Sequence, residues 1–138
     1  MKRIAILLLV VLLLAGCGKN DTTTQTSETG ETVAVIGEYK QISQEEAKKL
    51  LDTEKDFILL DVRTRQEYEA GHIPGAILIP HDEVEDRAAL ELPKKDQLIL
   101  VYCRSGNRSK QASQILANMG YTNVQEFGGI NDWIYDVE

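Results

Sequence analysis

Two unbroken apolar runs constrain the fold of this chain more than any other feature. Phe57 to Leu60 is followed directly by Asp61, and Leu98 to Tyr102 is followed directly by Cys103. Apolar runs without polar alternation are typical of strands buried on both faces, and such strands occur mainly in parallel sheets. Helix-like segments separate the runs. The pattern therefore predicts an α/β domain with a mainly parallel sheet and helices on both faces.

Two segments carry the spacing of a helical capping box. Ser43 precedes Glu46 by three residues, and Thr64 precedes Glu67 by the same distance. In this arrangement the two side chains satisfy free backbone amides at the start of a helix. A longer helix is predicted over Ser109 to Met119, where apolar residues recur at helical spacing. The remaining predicted elements are strands over 39–42, 76–79 and 124–127, a helix over 83–92 and a short terminal helix that holds Trp133.

The N-terminal segment differs from the rest of the chain in composition. Residues 1–16 begin with Lys2 and Arg3, continue through twelve apolar residues from Ile4 to Ala15, and contain no acid. This is the layout of a secretory signal peptide. Twelve apolar residues are fewer than the roughly 20 that a helix needs to cross a bilayer. We therefore expect a signal peptide over 1–16 rather than a membrane span.

The signal segment ends in Leu14-Ala15-Gly16-Cys17, which resembles the lipobox of bacterial lipoproteins. The resemblance implies that the peptide before Cys17 is removed and that Cys17 is lipidated. The mature chain would then be anchored to a bacterial membrane, outside the cytoplasm. Cys17 and the following residues up to 38, which are rich in Thr, Ser, Gly and Glu, are predicted to form a lipidated, flexible tether. The predicted domain spans 39–138.

Acidic residues dominate the predicted mature chain. The full sequence has 15 Lys and Arg against 22 Asp and Glu, a formal charge of −7, and loss of residues 1–16 removes two cations and no acid, which leaves −9. A surface this acidic argues against nucleic acid as a partner. If Cys17 is acylated, Cys103 is the only free thiol of the chain. An unpaired cysteine in an exported protein is a candidate reactive thiol.

The residues after the second apolar run place this cysteine in a cationic loop. The loop consists of Cys103, Arg104, Ser105, Gly106, Asn107 and Arg108. Ligands of parallel sheets bind beyond the carboxyl ends of the strands, and a tight turn into a helix can direct its amides inward as an anion-binding nest. Helix N-termini and nearby arginines lower the pKa of a thiol. Cys103 is therefore predicted to act as a thiolate nucleophile on an anionic substrate.

Two other roles are conceivable for this cysteine. Free cysteine is often buried as a plain apolar side chain, but the cationic and partly exposed setting of Cys103 favours a reactive thiol. A metal site is not expected, because Cys103 together with His72 and His81 elsewhere in the sequence makes no recognisable ligand set. No other cofactor is expected.

Several short motifs accompany the loop in a fixed order along the chain. They are Asp61-Val62-Arg63, Glu67-Tyr68, the six residues from Gly71 to Ala76, and Phe127-Gly128-Gly129 followed by Trp133. Together with the loop they resemble the rhodanese-like sulfurtransferases over the whole of 39–138. The resemblance implies a single rhodanese-like domain. It also implies a persulfide mechanism, in which a cysteine takes a sulfane sulfur from an anionic donor such as thiosulfate and passes it to a thiol or to cyanide.

The resemblance further implies roles for particular residues. Cys103 would be the nucleophile, and Arg104 through Arg108 would form the cradle for the anionic substrate. Asp61 and Arg63 would lie near the mouth of the same site. Two interpretations of this pair stay open, a role in substrate binding and a salt bridge that only fixes the loop.

Two alternatives to a sulfurtransferase remain at this point. Cysteine-dependent phosphatases also join a strand to a helix through a loop from cysteine to arginine, but their spacing is C-x5-R. Four residues separate Cys103 from Arg108 here, so the spacing is C-x4-R and the cradle should fit a phosphoryl group poorly. The second alternative is a module that binds a partner or carries sulfur without turnover. Retention of Cys103 argues against an inactive module but not against a sulfur carrier.

Overall fold

A five-stranded sheet lies at the centre of the computed structural model, which describes residues 37–138. The strands are β1 (Lys40–Gln41), β2 (Phe57–Asp61), β3 (Ile77–Leu78), β4 (Leu98–Cys103) and β5 (Val124–Gly129). The helices are α1 (Gln44–Thr53), α2 (Arg65–Glu69), α3 (Val84–Glu91) and α4 (Asn107–Asn118), followed by a 3₁₀ turn over Ile130–Asp132. No helix within 37–138 is long and apolar enough to span a bilayer. The predicted signal peptide, Cys17 and all of the tether except 37 and 38 lie outside the described residues.

All strand pairs of the sheet are parallel, in the order β1-β5-β4-β2-β3. The two apolar runs form β2 and β4, which are neighbours in register from Phe57 opposite Leu98 to Asp61 opposite Tyr102. Because the strands are parallel, their carboxyl ends meet at one edge of the sheet. The predicted fold class is confirmed, and the residues that follow β2 and β4 are brought side by side.

Two apolar cores cover the two faces of this sheet. Ile99, Val101 and Cys103 of β4 pack in one core, beneath α3 and α4. Leu98, Leu100 and Tyr102 pack in the other, with α1, α2 and the C-terminal aromatic residues. This alternation follows from the pleat of a strand, which sends successive side chains to opposite faces. It turns Cys103 towards the first turn of α4.

Both predicted capping boxes are present. The Ser43 side chain accepts from the amide of Glu46, and the Thr64 side chain accepts from the amide of Glu67. In each case the glutamate side chain accepts in return from the backbone amide of the capping residue. The starts of α1 and α2 are therefore set locally, by short sequence motifs, as predicted.

Several predicted boundaries differ from the structure, and two of these differences concern the start of α4 and the C-terminal segment. The helix expected from Ser109 begins at Asn107, directly after Gly106, which takes a left-handed conformation at φ 103°. A side chain would resist this conformation, so glycine allows the helix to start with only three residues between it and the end of β4. The terminal helix expected to hold Trp133 is a 3₁₀ turn that ends one residue earlier. Trp133 packs instead between the rings of Phe127 and Tyr135.

Candidate active site

Cys103 is the last residue of β4, and its side chain is buried. Its Sγ accepts a hydrogen bond of 3.0 Å from the amide of Gly106. The connection between β4 and α4 is only Arg104 to Gly106, so the predicted six-residue loop is wrong at its far end. Asn107 and Arg108 belong to the first turn of the helix. The sulfur therefore lies next to a three-residue loop and at the positive, N-terminal end of a twelve-residue helix.

The loop is held against the end of β5. The amide of Asn131 donates to the carbonyl oxygen of Arg104 over 3.2 Å. Gly129 passes so close to this backbone that an added Cβ would lie 2.1 Å from the Arg104 oxygen and 2.6 Å from the Ser105 Cα. Only glycine fits at this contact, which explains why the motif at the end of β5 shapes the loop around Cys103.

Hydrogen bonds to the sulfur decide how acidic the thiol is. Burial raises the pKa of Cys103. Hydrogen bonds with the side chain and amide of Ser109 and with the amides of Gly106 and Ser105 lower it by more, so the pKa of Cys103 lies below its usual value. Amides directed at this position are what the expected anion-binding nest requires, and binding of an anion there stays a prediction. The Ser109 contact was not anticipated. Ser109 lies in the first turn of α4 because the helix begins two residues earlier than predicted.

The two arginines of the loop differ in their surroundings. The Arg108 guanidinium donates from Nη1 and Nη2 to the two carboxylate oxygens of Glu67, at 2.8 Å each. The pKa of Glu67 falls to about 2, mainly because of this bidentate hydrogen bond and further because of hydrogen bonds with Thr64. Together these interactions outweigh burial, which acts to raise the pKa. Arg108 also interacts electrostatically with the Cys103 sulfur. Arg104 is exposed, and so is the adjacent Ser105.

Asp61 and Arg63 form a closed ion pair next to the loop. Both are buried, and Nη2 of Arg63 donates to Oδ2 of Asp61 over 2.6 Å and to the carbonyl oxygen of Gly71 over 2.7 Å. The Tyr102 hydroxyl accepts from the amide of Ile73 over 3.1 Å. Burial and the negative charge of Asp61 raise the pKa of Tyr102. These contacts correspond to the structural interpretation of the pair, because both members already have partners within the fold.

The structure thus separates the predicted site residues into two groups. Cys103, Arg104, Ser105, Gly106, Asn107 and Arg108 share one loop and helix start, whereas Asp61 and Arg63 satisfy each other at the neighbouring strand end. Their roles toward a substrate stay predictions. Sequence reasoning missed Glu67 and Ser109 as neighbours of the loop. Glu67 was recognised as a capping residue and as part of the Glu67-Tyr68 motif, but nothing in its spacing shows that it also meets Arg108, 41 positions away.

The fold and the site together define a class of protein. A small parallel α/β domain presents one thiol at the carboxyl edge of its sheet, with amides directed at the sulfur, as in proteins that transfer a group through a covalent cysteine adduct. The model of the rhodanese-like domain family matches residues 43–136. The chain belongs to this family.

Individual relatives agree with this assignment. The chain is 45% identical to the thiosulfate sulfurtransferase PspE of Escherichia coli over 73 residues, which are 53% of this chain and 70% of that protein. It is 30% identical to the thiosulfate:glutathione sulfurtransferase of Saccharomyces cerevisiae over 112 residues, 72% of this chain and 81% of that protein. A solved rhodanese from Escherichia coli with anions superposes with a TM-score of 0.56 at 41% identity, over 59% of this chain and 95% of that one.

Proposed function

We propose that the protein is a thiosulfate-type sulfurtransferase that works through a persulfide on Cys103. The observation that carries the proposal is the position of the Cys103 sulfur. It lies at the end of β4, where amides of the loop and of the first turn of α4 are directed at it. Relatives named as thiosulfate sulfurtransferases support the same chemistry. The loop spacing of C-x4-R, shorter than that of cysteine-dependent phosphatases, supports it as well.

The reaction balances without an external oxidant or reductant. The Cys103 thiolate attacks the sulfane sulfur of thiosulfate, a new S–S bond forms, and the S–S bond of thiosulfate breaks as sulfite leaves with the electron pair. A thiol or cyanide acceptor then attacks the outer sulfur of the persulfide, and Cys103 leaves as the thiolate. The amides that lower the pKa of Cys103 stabilise the negative charge of the thiolate at the start and at the end of this cycle.

The cations around the loop have different parts in this proposal. Arg104 is exposed and free to approach the oxygens of an anionic sulfur donor. Arg108 is held by Glu67 and contributes a fixed positive potential near the sulfur. The incoming anion is therefore expected to bind mainly to loop amides and Arg104, with Arg108 in a supporting electrostatic role.

A turnover assay tests the proposal. The full-length chain in detergent is given thiosulfate and cyanide, and thiocyanate is measured over time, with Cys103→Ser as the inactive control. Multiple turnovers per chain support an enzyme. A single sulfur delivered per chain would identify a sulfur carrier instead. Hydrolysis of an aryl phosphate faster than thiosulfate turnover would overturn the sulfurtransferase assignment and favour a phosphatase.

The lipid anchor is a separate proposal. We infer that the mature protein is attached to a bacterial membrane through Cys17 and lies outside the cytoplasm. The support is the basic and then apolar leader that ends in Leu14-Ala15-Gly16-Cys17. Incorporation of labelled palmitate into wild-type protein should be lost in Cys17→Ala, together with processing of the precursor. Cys103→Ala is the matched control and should keep its label. Normal processing and release of Cys17→Ala would contradict the anchor.

A further inference from the structure

Gln44, the first residue of α1, bonds two backbone positions at the carboxyl end of β5. Its Nε2 donates to the carbonyl oxygen of Phe127 over 3.1 Å and to that of Gly129 over 2.8 Å. Only the NH₂ half of an amide can donate to carbonyl oxygens, so these two bonds fix the orientation of the side chain. The other half, Oε1, is buried and has no hydrogen-bond partner within 37–138. The side chain is therefore held by what it donates.

The two acceptors lie on either side of an irregularity in the pairing of β5 with β4. Glu126 lies opposite Val101, but the residue opposite Cys103 is Gly129, so β5 spans three residues where β4 spans two. This is a β-bulge, and its middle residue, Gly128, has a φ of 91°. A bulge interrupts the ladder of backbone hydrogen bonds, so this part of β5 depends on other groups for support.

The backbone of β1 stops short of this bulge. β1 pairs with β5 at Gln125 and Glu126, and one residue further along the amide of Ile42 donates to the carbonyl oxygen of Glu126 over 2.9 Å. The chain then turns away from β5 to begin α1 at Gln44. The Gln44 side chain therefore extends the hydrogen bonding of β1 to the part of β5 that lies beyond the paired backbone.

The bulge packs directly against the cysteine loop. An added Cβ on Gly129 would lie 2.1 Å from the Arg104 oxygen, and one on Gly106 would lie 3.6 Å from the Cα of Gly128. Just after the bulge, the amide of Asn131 donates to the same Arg104 oxygen over 3.2 Å. Because the two backbones are in close contact, a shift of the bulge must displace the loop.

We propose that Gln44 is a positioning residue for the sulfur site, because it holds the β5 bulge against which the cysteine loop packs. From the bulge the contacts continue to Gly106, whose amide donates to the Cys103 Sγ over 3.0 Å. Without the Gln44 hydrogen bonds this amide should be less well ordered, and small displacements in a reactive geometry are costly. The inference deepens the proposed function and rests on it, since it takes the Cys103 sulfur to be the atom that accepts the transferred sulfur.

Hydrogen exchange observed by NMR tests these bonds without requiring sulfur transfer. In the isotope-labelled full-length chain in detergent, the Nε2 protons of Gln44 should exchange at least about tenfold more slowly than those of the exposed Gln66, an effect of the size expected for about one hydrogen bond. This measurement uses the wild type alone and so does not depend on the folding of any variant. Equal exchange rates at the two glutamines would overturn the inference.

A variant tests whether the bulge orders the loop. Gln44→Met keeps the length of the side chain but removes both donated bonds, so the amides of Gly106 and Asn131 should exchange about tenfold faster than in the wild type. Gln114→Met is the matched control, because Gln114 is also a partly buried glutamine and donates to the carbonyl oxygen of Gly37 over 2.9 Å. This control should leave the exchange of both loop reporters unchanged.

Thiocyanate formation connects the Gln44 hydrogen bonds to the chemistry. Gln44→Met should lower kcat/KM for thiosulfate about fivefold, whereas Gln114→Met should keep the wild-type value. Circular dichroism checks that each variant is folded. An equal loss of turnover in the two variants would indicate a general effect on stability and would overturn the positioning role.

Two results for a folded Gln44→Met would also overturn the inference. One is unchanged exchange at Gly106 and Asn131, and the other is faster exchange together with wild-type turnover. A wild type that forms no thiocyanate but shows the predicted exchange rates would instead contradict the proposed function, and the role of Gln44 in ordering the loop would still hold.

Discussion

Two neighbouring strand ends of this domain carry charged residues but use them in opposite ways. At the end of β2, Asp61 and Arg63 are buried and bonded to each other, and Arg63 also holds the carbonyl of Gly71. At the end of β4, the polar groups of the loop and of the first turn of α4 converge on the Cys103 sulfur, while Arg104 remains exposed. The charged groups of the first end satisfy each other, whereas the polar groups of the second end are directed at the sulfur of Cys103, which is itself buried.

The sheet explains why two adjacent ends differ. Asp61 lies opposite Tyr102 in the parallel register, and Tyr102 and Cys103 point to opposite faces. Asp61 therefore belongs to the face of α1 and α2, where the Tyr102 hydroxyl and Arg63 enclose it. Cys103 faces the start of α4, where unpaired amides are available. The parallel pairing of β2 and β4 brings their carboxyl ends together, but the pleat directs Asp61 and Cys103 to opposite faces of the sheet.

The largest loss of stability should come from breaking the ion pair between Asp61 and Arg63 at the end of β2. Asp61→Ala leaves the Arg63 guanidinium buried at a strand end without its carboxylate, and removing one partner of a buried ion pair costs about 3–5 kcal/mol. Since small domains are stable by only about 5–15 kcal/mol, we expect much of the folding free energy to be lost. Urea unfolding followed by circular dichroism measures this loss.

A double variant sharpens the same point. Asp61→Ala combined with Arg63→Met removes both charges and should recover a large part of the stability, because no unpaired charge remains. If Asp61→Ala alone unfolds at the wild-type urea concentration, the pair is not what closes this end of the sheet.

A smaller loss of stability is expected from crowding the loop that follows β4. Gly129→Ala drives a Cβ against the backbone of Arg104 and Ser105, so the loop must move. Overpacking of this kind costs roughly 1–3 kcal/mol, and displaced amides should reduce thiocyanate formation at least about tenfold, since small shifts in a reactive geometry are costly.

Gly75→Ala is the control for this variant. Gly75 has a φ of 81°, and nothing lies within 4 Å of an added Cβ, so the substitution adds backbone strain without crowding the loop. It should lower stability by about 1 kcal/mol and leave the turnover rate unchanged. Equal losses of activity in the two glycine variants would indicate a general effect on folding.

The smallest effect concerns the pair that links the loop to α2. The pKa of Glu67 falls from 4.5 to about 2 in the folded protein, so its contribution is fully present above pH 4.5 and is lost as the pH falls towards 2. We expect Glu67→Gln to cost about 1 kcal/mol at neutral pH and to unfold with a weaker pH dependence between 4.5 and 2 than the wild type. Urea unfolding at several pH values tests this.

The exposed pair of Arg65 and Glu69 provides the comparison for Glu67. Its closest charged atoms are 4.0 Å apart, and both side chains are mostly exposed. Glu69→Gln should therefore change stability little at any pH. A pH dependence in Glu67→Gln identical to that of the wild type would place the acid-sensitive group elsewhere.

Local patterns predicted most of the fold and the position of the thiol. The apolar runs at β2 and β4, the two capping boxes and the cysteine loop each depend on residues close together in sequence. What could not be predicted depends on long-range packing. The pairing of Arg108 with Glu67 joins α4 to α2, and the carboxylate of Glu126 reaches Ser109 from another strand. Both Arg108 and Ser109 lie in the first turn of α4, which begins two residues earlier than predicted.

The most direct test of the central claim is the mass of the protein after exposure to thiosulfate. The full-length wild type should gain one sulfur atom, carried by the tryptic peptide that spans 96–104, and should lose it again on addition of cyanide. Cys103→Ser should gain none. A wild type that gains no sulfur, or a Cys103→Ser variant that gains the same atom, would contradict the assignment of this strand end as the site of sulfur transfer.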